Sequence, residues 1–251
     1  MDSTRIIGIS RGSQYSPNHI GNDAAIFNRV TEELRSMGHT VETDTEKEFT
    51  ESGAESAVIY GMARDTATQE RLKTLEDKGT LVINSAYGID NCIRKAMTML
   101  LTSHNVPHPD SLIVSTAVPF SGQRFPCWIK RGDSHAILKE DVSYAATREE
   151  ADAILASFRQ RGIAEAVVNE HLQGDLVKFY GVRDTGFFHW FYPDPSAHSK
   201  FGLEKINGRA KGICFDEDRL KAYSDKASRV LDVPVYGGDC VVTPNGDIKI
   251  I

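Results

Sequence analysis

The sequence is poor in cysteine and has no closely spaced cysteine pair. Cys92, Cys127, Cys214 and Cys240 are spread over a chain of 251 residues, and no Cys-x-x-Cys motif occurs. Structural zinc sites and small disulfide frameworks depend on such pairs, so neither class is predicted. We expect four reduced, mostly buried thiols in a cytoplasmic protein.

The sequence also lacks an excess of basic residues and any long apolar run. The formal net charge is -6 and the pI is about 5.8, so the chain has no general electrostatic attraction to nucleic acid. The apolar runs are too short to cross a bilayer, and the segment from Met1 to Arg5 has no signal-peptide character. We therefore expect neither nucleic acid nor a membrane as a partner.

The composition that remains is that of an ordinary globular protein, with 40% hydrophobic and 25% charged residues. In the first eighty-five residues or so, strand and helix patterns alternate, beginning with the apolar run Arg5 to Ser10. Helical spacing of Ile26, Val30 and Leu34 predicts the first helix, and a second ends at Gly79. Further strands are predicted at 40–43, 57–60 and 81–83. This alternation indicates a small α/β layer with parallel strands.

The rest of the chain begins with helices and becomes mostly strand. Helices are predicted at 89–104, at 147–161 behind a Thr147–Glu150 capping box, and after Asp216. Strands are predicted at 126–130, 142–145, 164–169, 176–182, 187–192, 235–243 and 247–251, with a polar loop over 193–212. We place the domain boundary near residue 85. Because the last predicted strand stops at Ile251, we expect the printed chain to be truncated or incomplete.

Lysines within apolar strands are the first sign of chemistry. Lys130 and Lys178 both lie among strand residues, where a buried cation needs a counter-charge, although either side chain can equally face solvent. Together with Lys95 and Asp239 they suit a polyanion held by cations and Mg²⁺. Charge neutralisation and alignment of this kind are what phosphoryl transfer requires.

The order of these residues resembles the ATP-grasp superfamily. Ile83-Asn84-Ser85 precedes a helix with a basic residue, and His-x-Val-Pro-x-Pro follows at 104–109. Over about residues 80–251 the pattern is similar to the ribosomal-protein glutamate ligases and glutathione synthetases. The resemblance implies an α/β N-terminal domain (1–85) followed by α+β ATP-grasp lobes (86–251). The lobes would be a central lobe at 86–163 and an incomplete C-terminal lobe at 164–251.

The resemblance also implies a role for each matching residue in a site for ATP and Mg²⁺. Phosphate contacts would fall to Lys95, Lys130 and Lys178, with Lys130 also near the adenine edge and Lys178 near phosphate or substrate. Catalysis would fall to Lys178 and Asp239, and Asp239 would bind the metal. The remaining implied nucleotide contacts are Glu170 with the backbone of His171 and Leu172 at the adenine edge, and Asp175 at the ribose.

Two departures from the family pattern are visible. The acid-x-Asn motif that usually completes the metal site would fall just past Ile251. The Gly-Ser-x-Gly loop over the phosphates is replaced by the sequence 131–135, which has one glycine. Both departures favour a weaker site than the family usually has.

The function implied by the resemblance is that of an ATP-dependent carboxylate–amine ligase acting through an acyl phosphate. Its partners would be small-molecule or peptide carboxylates and amines, and family members often form homodimers. Two alternatives stay open: a small-molecule kinase, because 177–182 resembles inositol-polyphosphate kinases, and a non-catalytic nucleotide-binding module. We expect the aromatic run 187–192 to serve core packing rather than binding.

Overall fold

A computed structural model describes residues 4–17, 19–122, 124–193 and 206–251. The chain forms two compact units, Met1–Asp90 and Asn91–Ile251. Most of the predicted polar loop 193–212 lies outside the described residues. Within the described part of the chain, no helix is both long enough and apolar enough to span a membrane.

The first unit is built on a four-stranded parallel sheet. Its strands are β1 (Arg5–Ser10), β2 (Thr40–Thr45), β3 (Val58–Gly61) and β4 (Leu81–Ile83), in the order β2-β1-β3-β4. Its helices are α1 (Ile20–Ser36), α2 (Glu46–Ser52), α3 (Thr66–Asp77) and α4 (Ala86–Asn91). A core of aliphatic residues from the strands and from α3 holds the layer together. The predicted parallel α/β layer is therefore present.

The second unit contains two four-stranded antiparallel sheets. The central sheet has the order β5-β8-β6-β7, and the C-terminal sheet has the order β10-β9-β11-β12. The strands are β5 (Ser111–Ser115), β6 (Cys127–Arg131), β7 (Val142–Ala145), β8 (Glu165–Glu170), β9 (Asp175–Val182), β10 (Phe188–Phe191), β11 (Val235–Val242) and β12 (Ile248–Ile250). The helices are α5 (Arg94–Ser103), α6 (Arg148–Gln160) and α7 (Glu217–Leu231).

Each sheet of the second unit has one face in a hydrophobic core. Phe158 and Leu155 of α6 pack against Ile129 of β6 in the central core. On the C-terminal sheet, alternate residues such as Val177 and Phe179 face the core formed with α5 and α7. Period-two alternation then turns Leu176, Lys178 and Tyr180 towards the opposite face. That face carries the candidate site described below.

Three local differences from the predicted elements have identifiable causes. The predicted helix 89–104 is two helices, because Ile93 adopts an extended conformation at the N-cap of α5. Helix α2 was not predicted, although Thr45 and Glu48 form its capping box. Strand β5 was also not predicted. It lies at the edge of its sheet with Leu112 and Ile113 exposed, so its sequence shows no alternation of polar and apolar residues.

Candidate functional site

A cavity of about 200 Å³ lies in the second unit, lined by residues of both of its sheets. Its polar lining includes two cations, Arg94 and Lys130, and two carboxylates, Asp239 and Glu170, and we call Arg94, Lys130 and Asp239 the polar wall. The apolar walls are formed mainly by aliphatic side chains. The residues that line it are Arg94, Pro109, Trp128, Lys130, Val142, Asn169, Glu170, Leu172, Leu176, Asn207, Asp239, Val241 and Ile251. Four of the predicted site residues are among them: Lys130, Glu170, Leu172 and Asp239.

Lys130 is a buried cation at the centre of the polar wall. Strand β6 holds it between β7 and β8, opposite Val142 and Val167, and leaves 9% of the residue exposed. Burial, and next the positive charge of Arg94, hold the pKa of Lys130 well below its ordinary value, against the opposing effect of Asp239. Among the described residues, no carboxylate forms a salt bridge with Lys130. An anion entering this cavity would supply the missing counter-charge.

Arg94 is the second cation, at the first residue of α5. Burial lowers its pKa, and the charges of Asp239 and Cys92 oppose that effect. The position also places Arg94 at the positive end of the α5 dipole, which adds to the attraction for an anion. Sequence analysis selected the neighbouring Lys95 instead. The break at Ile93 resets the phase of the helix, so the sequence alone could not show which of the two basic residues faces the cavity.

Lys178 and Asp239 form an ion pair across neighbouring strands. They are direct partners in the β9–β11 register, and Lys178 Nζ donates to Asp239 Oδ1 over 3.1 Å. The side chains are 28% and 42% exposed, so both are open to solvent and ligand. Arg94 and Lys130 also feel the charge of Asp239. Asp239 thus interacts with three cations: Arg94 and Lys130, which line the cavity, and Lys178, which does not.

The end of β8 forms the opposite edge of the cavity. The Glu170 carboxylate accepts from the backbone N–H of Asp110 over 2.9 Å, and the Glu170 N–H donates to the Asp110 carbonyl, also over 2.9 Å. His171 does not line the cavity; its Nδ1 accepts from Trp128 Nε1 over 3.1 Å, and burial lowers its pKa. Both side chains therefore stabilise the turn after β8. The backbone N–H of His171 is bonded as well, to the Pro126 carbonyl over 3.2 Å.

Lys95 and Asp175 do not line the cavity. Lys95 Nζ forms a salt bridge with Glu165 at 2.6 Å. Asp175 is 2% exposed, and its carboxylate accepts the backbone N–H groups of Lys211 (2.7 Å) and Ile213 (2.8 Å). The nucleotide contacts predicted for these two residues stay predictions, and each would require the existing bonds to rearrange.

The loop after Lys130 is anchored by the buried carboxylate of Asp141. The Asp141 carboxylate, which is fully buried, accepts the backbone N–H groups of Ile137 (2.8 Å) and Leu138 (2.9 Å) and binds the guanidinium of Arg161. A Cβ at Gly132 would lie 2.9 Å from the Glu165 carbonyl oxygen, so the glycine permits the close approach of loop and sheet. The single glycine noted in the sequence therefore serves packing at this position.

The apolar walls were missed by sequence analysis. Leu176 and Val241 are direct partners in the β9–β11 register, and each lies two residues from Lys178 or Asp239 on the same sheet face. Period-two alternation from those two predicted residues could have identified both. Trp128, Val142 and Ile251 belong to other strands or to the end of the chain, and no local pattern connects them.

A metal ion in this cavity would depend on the carboxylates that line it. Among the described residues, no group of three or more His, Cys, Asp or Glu side chains is arranged to hold a metal ion. Asp239 is the carboxylate of the polar wall that is best exposed to the cavity. Mg²⁺ commonly takes one or two carboxylates and completes its shell with phosphate oxygens and water, so Asp239 fits a metal that arrives with a polyphosphate.

Similar folds are found among solved structures. D-alanyl-alanine synthetase A from Vibrio cholerae matches with a TM-score of 0.70 and 13% identity, over 100% of this chain and 88% of that chain. A D-alanine–D-alanine ligase from Bacillus anthracis complexed with ATP matches with a TM-score of 0.67 and 13% identity, over 99% and 85%. The ATP-grasp ligase PsnB, complexed with precursor peptide PsnA2 and AMPPNP, matches with a TM-score of 0.60 and 17% identity, over 100% and 88%.

Comparisons based on sequence gave no match. No protein-family model matches the chain, and no curated protein matches it either. What the chain shares with the solved structures is therefore its fold, and its activity has to be argued from the site.

Proposed function

We propose that this chain, whose fold is that of the ATP-grasp ligases, is an ATP-dependent carboxylate–amine ligase that acts through an acyl phosphate. In this proposal the cavity binds ATP, and the Lys178–Asp239 pair lies where the phosphoryl group is transferred. The carboxylate substrate would gain the γ-phosphoryl group from ATP, and an amine would then displace phosphate to form an amide.

The observation that carries the proposal is the buried cation Lys130 beside Arg94. Two positive charges in a largely desolvated wall repel one another, and burial already depresses the pKa of Lys130. A protein tolerates such a pair where a strong anion compensates it, and a polyphosphate supplies several charges at once. Two of the compared proteins support this choice, since one was solved with ATP and another with AMPPNP.

The apolar part of the cavity suits the base of the nucleotide. Leu176 and Val241 come from one sheet and Val142 from the other, so a planar ring between them would be covered on both faces. The backbone at Leu172 would meet the polar edge of the ring, because both the side chain and the N–H of Glu170 are already bonded to Asp110. The predicted adenine contact is thus carried by backbone groups.

Each of the four charged residues would have a distinct role in the reaction. Lys130 and Arg94 neutralise and align the phosphates. Lys178 stabilises the charge that develops on the transferred group and directs the substrate carboxylate by attraction. Asp239 would hold Mg²⁺, which would supply positive charge to neutralise the phosphates, and its bond to Lys178 fixes both side chains beforehand.

The substrate classes follow from the compared proteins and the open site. PsnB was solved with peptide precursors, and the other matches join D-alanine units or D-alanine with D-serine. We infer that the substrates are a small-molecule or peptide carboxylate and an amine. We also infer a cytoplasmic location, and a homodimer is the first oligomeric state to test. Hydroxylamine distinguishes ligase from kinase, since it traps an acyl phosphate as a hydroxamate and leaves a phosphate ester unchanged.

The proposal is tested by thermal unfolding of the full chain with ATP and with ATP plus Mg²⁺. A ligand at one hundred times its dissociation constant adds about 2.7 kcal/mol to stability, so ATP should raise the midpoint clearly. Lys130→Met should abolish most of this rise. Lys47→Met changes a fully solvated lysine of the first unit and should leave the rise intact. An equal response of the wild type and the Lys130 variant to ATP would refute the assigned site.

A further inference from the structure

The open face of the C-terminal sheet carries a row of three exposed rings beside the Lys178–Asp239 pair. Tyr180 and Phe191 are nearly parallel, with 13° between their planes and 6.1 Å between their centroids. His189 stacks on Phe191 with centroids 5.9 Å apart and 27° between the planes. We call Tyr180, Phe191 and His189 the aromatic row. None of the three is part of the nucleotide site described above.

The strand register fixes the row relative to the proposed reaction centre. Phe191 is the direct partner of Lys178, and His189 is the direct partner of Tyr180. Tyr180 follows Lys178 by two residues on β9, so it projects from the same face about 7 Å further along the strand. Leu176, which lines the cavity, lies at the same spacing on the other side of Lys178. The sheet face therefore runs from the nucleotide cavity, through the ion pair, to the aromatic row.

The rings of this row stay outside the hydrophobic core. Tyr180 is 49% exposed and Phe191 is 36% exposed, whereas Phe188 and Trp190 of the same run pack against the core. The core packing expected from the sequence thus explains only alternate residues. An exposed apolar surface next to a polar centre commonly marks a binding site, because burying it on ligand binding is favourable.

A glycine keeps the Tyr180 ring flat on the sheet. A Cβ at Gly237, the partner of Tyr180 on β11, would lie 2.7 Å from both Cδ1 and Cε1 of the ring. Any other residue would push the ring away from the backbone. The absence of a side chain therefore holds one face of Tyr180 against β11, while nearly half of the residue stays open to solvent.

We propose that the aromatic row is a substrate subsite, and that it binds an aromatic group of the carboxylate substrate while Lys178 attracts the carboxylate. The proposal deepens the ligase function and rests on it. The π faces of the row suit a ring, since stacked or edge-to-face aromatic pairs are stabilised beyond the burial of their apolar area. A cationic group would suit the faces as well, but the positive charge of Lys178 disfavours it. An aromatic acid with a short spacer satisfies both features.

The test compares two acids that differ in the ring. Calorimetric titration of the full chain with 3-phenylpropanoate and with propanoate, each with and without ATP, measures the contribution of the phenyl group. We expect the wild type to bind 3-phenylpropanoate about tenfold more tightly than propanoate. Tyr180→Ala should lower the affinity for 3-phenylpropanoate by about 2- to 10-fold and leave the affinity for propanoate unchanged. Tyr180→Phe should restore the preference.

The matched control is Phe187→Ala, which removes an exposed aromatic residue outside the row. It should keep the preference for 3-phenylpropanoate. Equal binding of the two acids by the wild type, or equal losses in the Tyr180→Ala and Phe187→Ala variants, would overturn the subsite. ATP affinity measured in the same titrations separates the two proposals. A chain that binds ATP but not the ring loses only the subsite, and a chain that binds no ATP loses the ligase function.

Discussion

Lys178 and Asp239 lie opposite one another on β9 and β11, and Lys178 Nζ reaches Asp239 Oδ1 over 3.1 Å. Because both side chains remain partly exposed, the bond is open to competition from a ligand. A phosphoryl group can take the lysine, and a metal ion can take the carboxylate. In the proposed function the pair would therefore link the binding of a metal ion to the binding of phosphate.

The first prediction concerns Asp239→Asn. The substitution removes one negative charge that acts on Arg94, Lys130 and Lys178, so we expect ATP without Mg²⁺ to bind more tightly than it does to the wild type. The extra affinity that Mg²⁺ confers should be lost, and hydroxamate formation should fall by about 100-fold. Calorimetric titration with and without Mg²⁺, and a hydroxamate assay, measure the two effects.

Asp247→Asn is the control for that experiment. Asp247 is exposed in the turn between β11 and β12, and the substitution removes the same charge from the same hairpin. It should change neither the Mg²⁺ dependence nor the rate. If both variants lost the Mg²⁺ increment equally, the metal role of Asp239 would be excluded.

A second prediction follows from the depressed pKa of Lys130. Burial and the Arg94 charge favour the neutral amine in the free protein, while an anion in the cavity favours the ammonium. ATP binding should therefore take up protons, at a pH where ATP itself is fully ionised. The measurement is the slope of the binding enthalpy against the ionisation enthalpy of the buffer, which should be positive.

The same experiment on two variants assigns the proton. Lys130→Met should remove most of the uptake, and Lys47→Met, at a site that is 82% exposed, should preserve it. The depressed pKa of Lys130 also makes the stability of the free protein depend on pH. The unfolded chain holds more protons at this residue than the folded chain, so this group makes the free protein more stable as pH rises through the folded pKa of Lys130. A flat enthalpy plot for the wild type would contradict the assignment.

Sequence analysis selected two residues that the structure places side by side, but it did not select the residues around them. Lys178 and Asp239 stand out because charged residues interrupt apolar strands, and the register then makes them neighbours. Arg94 was not selected, because the sequence predicted one continuous helix over 89–104, whereas Ile93 is extended and α5 begins at Arg94. The fold was identified from the order of spaced residues, which is a property of the whole chain.

Asp175 makes contacts that the sequence does not show, and its predicted ribose contact stays a prediction. Its position directly after the turn was similar to that of a ribose-binding acid. The structure uses its carboxylate to hold the backbone at Lys211 and Ile213, contacts that lie far along the chain. No local pattern indicates such a long-range anchor, because an acidic residue near a strand end has the same sequence context whether it binds a ligand or a distant part of the backbone.

The third prediction tests the role of Asp175. Asp175→Asn should lower the unfolding midpoint, because a buried carboxylate that accepts two backbone N–H groups is replaced by a weaker acceptor. A loss of about 1–3 kcal/mol is expected in a denaturant titration. The ratio of the affinities for ATP and 2′-deoxyATP should stay at the wild-type value. A variant that lost this discrimination while keeping its stability would show the ribose contact instead.

The fourth prediction concerns Asp141, which anchors the loop after Lys130. Burial raises its pKa, but the hydrogen bonds from Arg161 and from the backbone of Ile137 and Leu138 outweigh burial and hold the pKa below the ordinary value. Because the folded pKa is depressed, the stabilisation is fully present above the unfolded pKa of about 3.9 and is lost as pH falls through the folded pKa. Asp141→Asn should remove this acid-dependent component and cost about 3–5 kcal/mol, because Arg161 loses its buried partner.

Denaturant titrations at neutral and acidic pH measure that effect, and Asp133→Asn provides the control. Asp133 also binds Arg131 in the same loop, but its side chain is 40% exposed, so its loss should cost at most about 1 kcal/mol. The Asp141 variant should also bind ATP more weakly, since the loop beside Lys130 loses its anchor. If the Asp141 variant were destabilised but bound ATP with wild-type affinity, the loop would play no part in holding the phosphates.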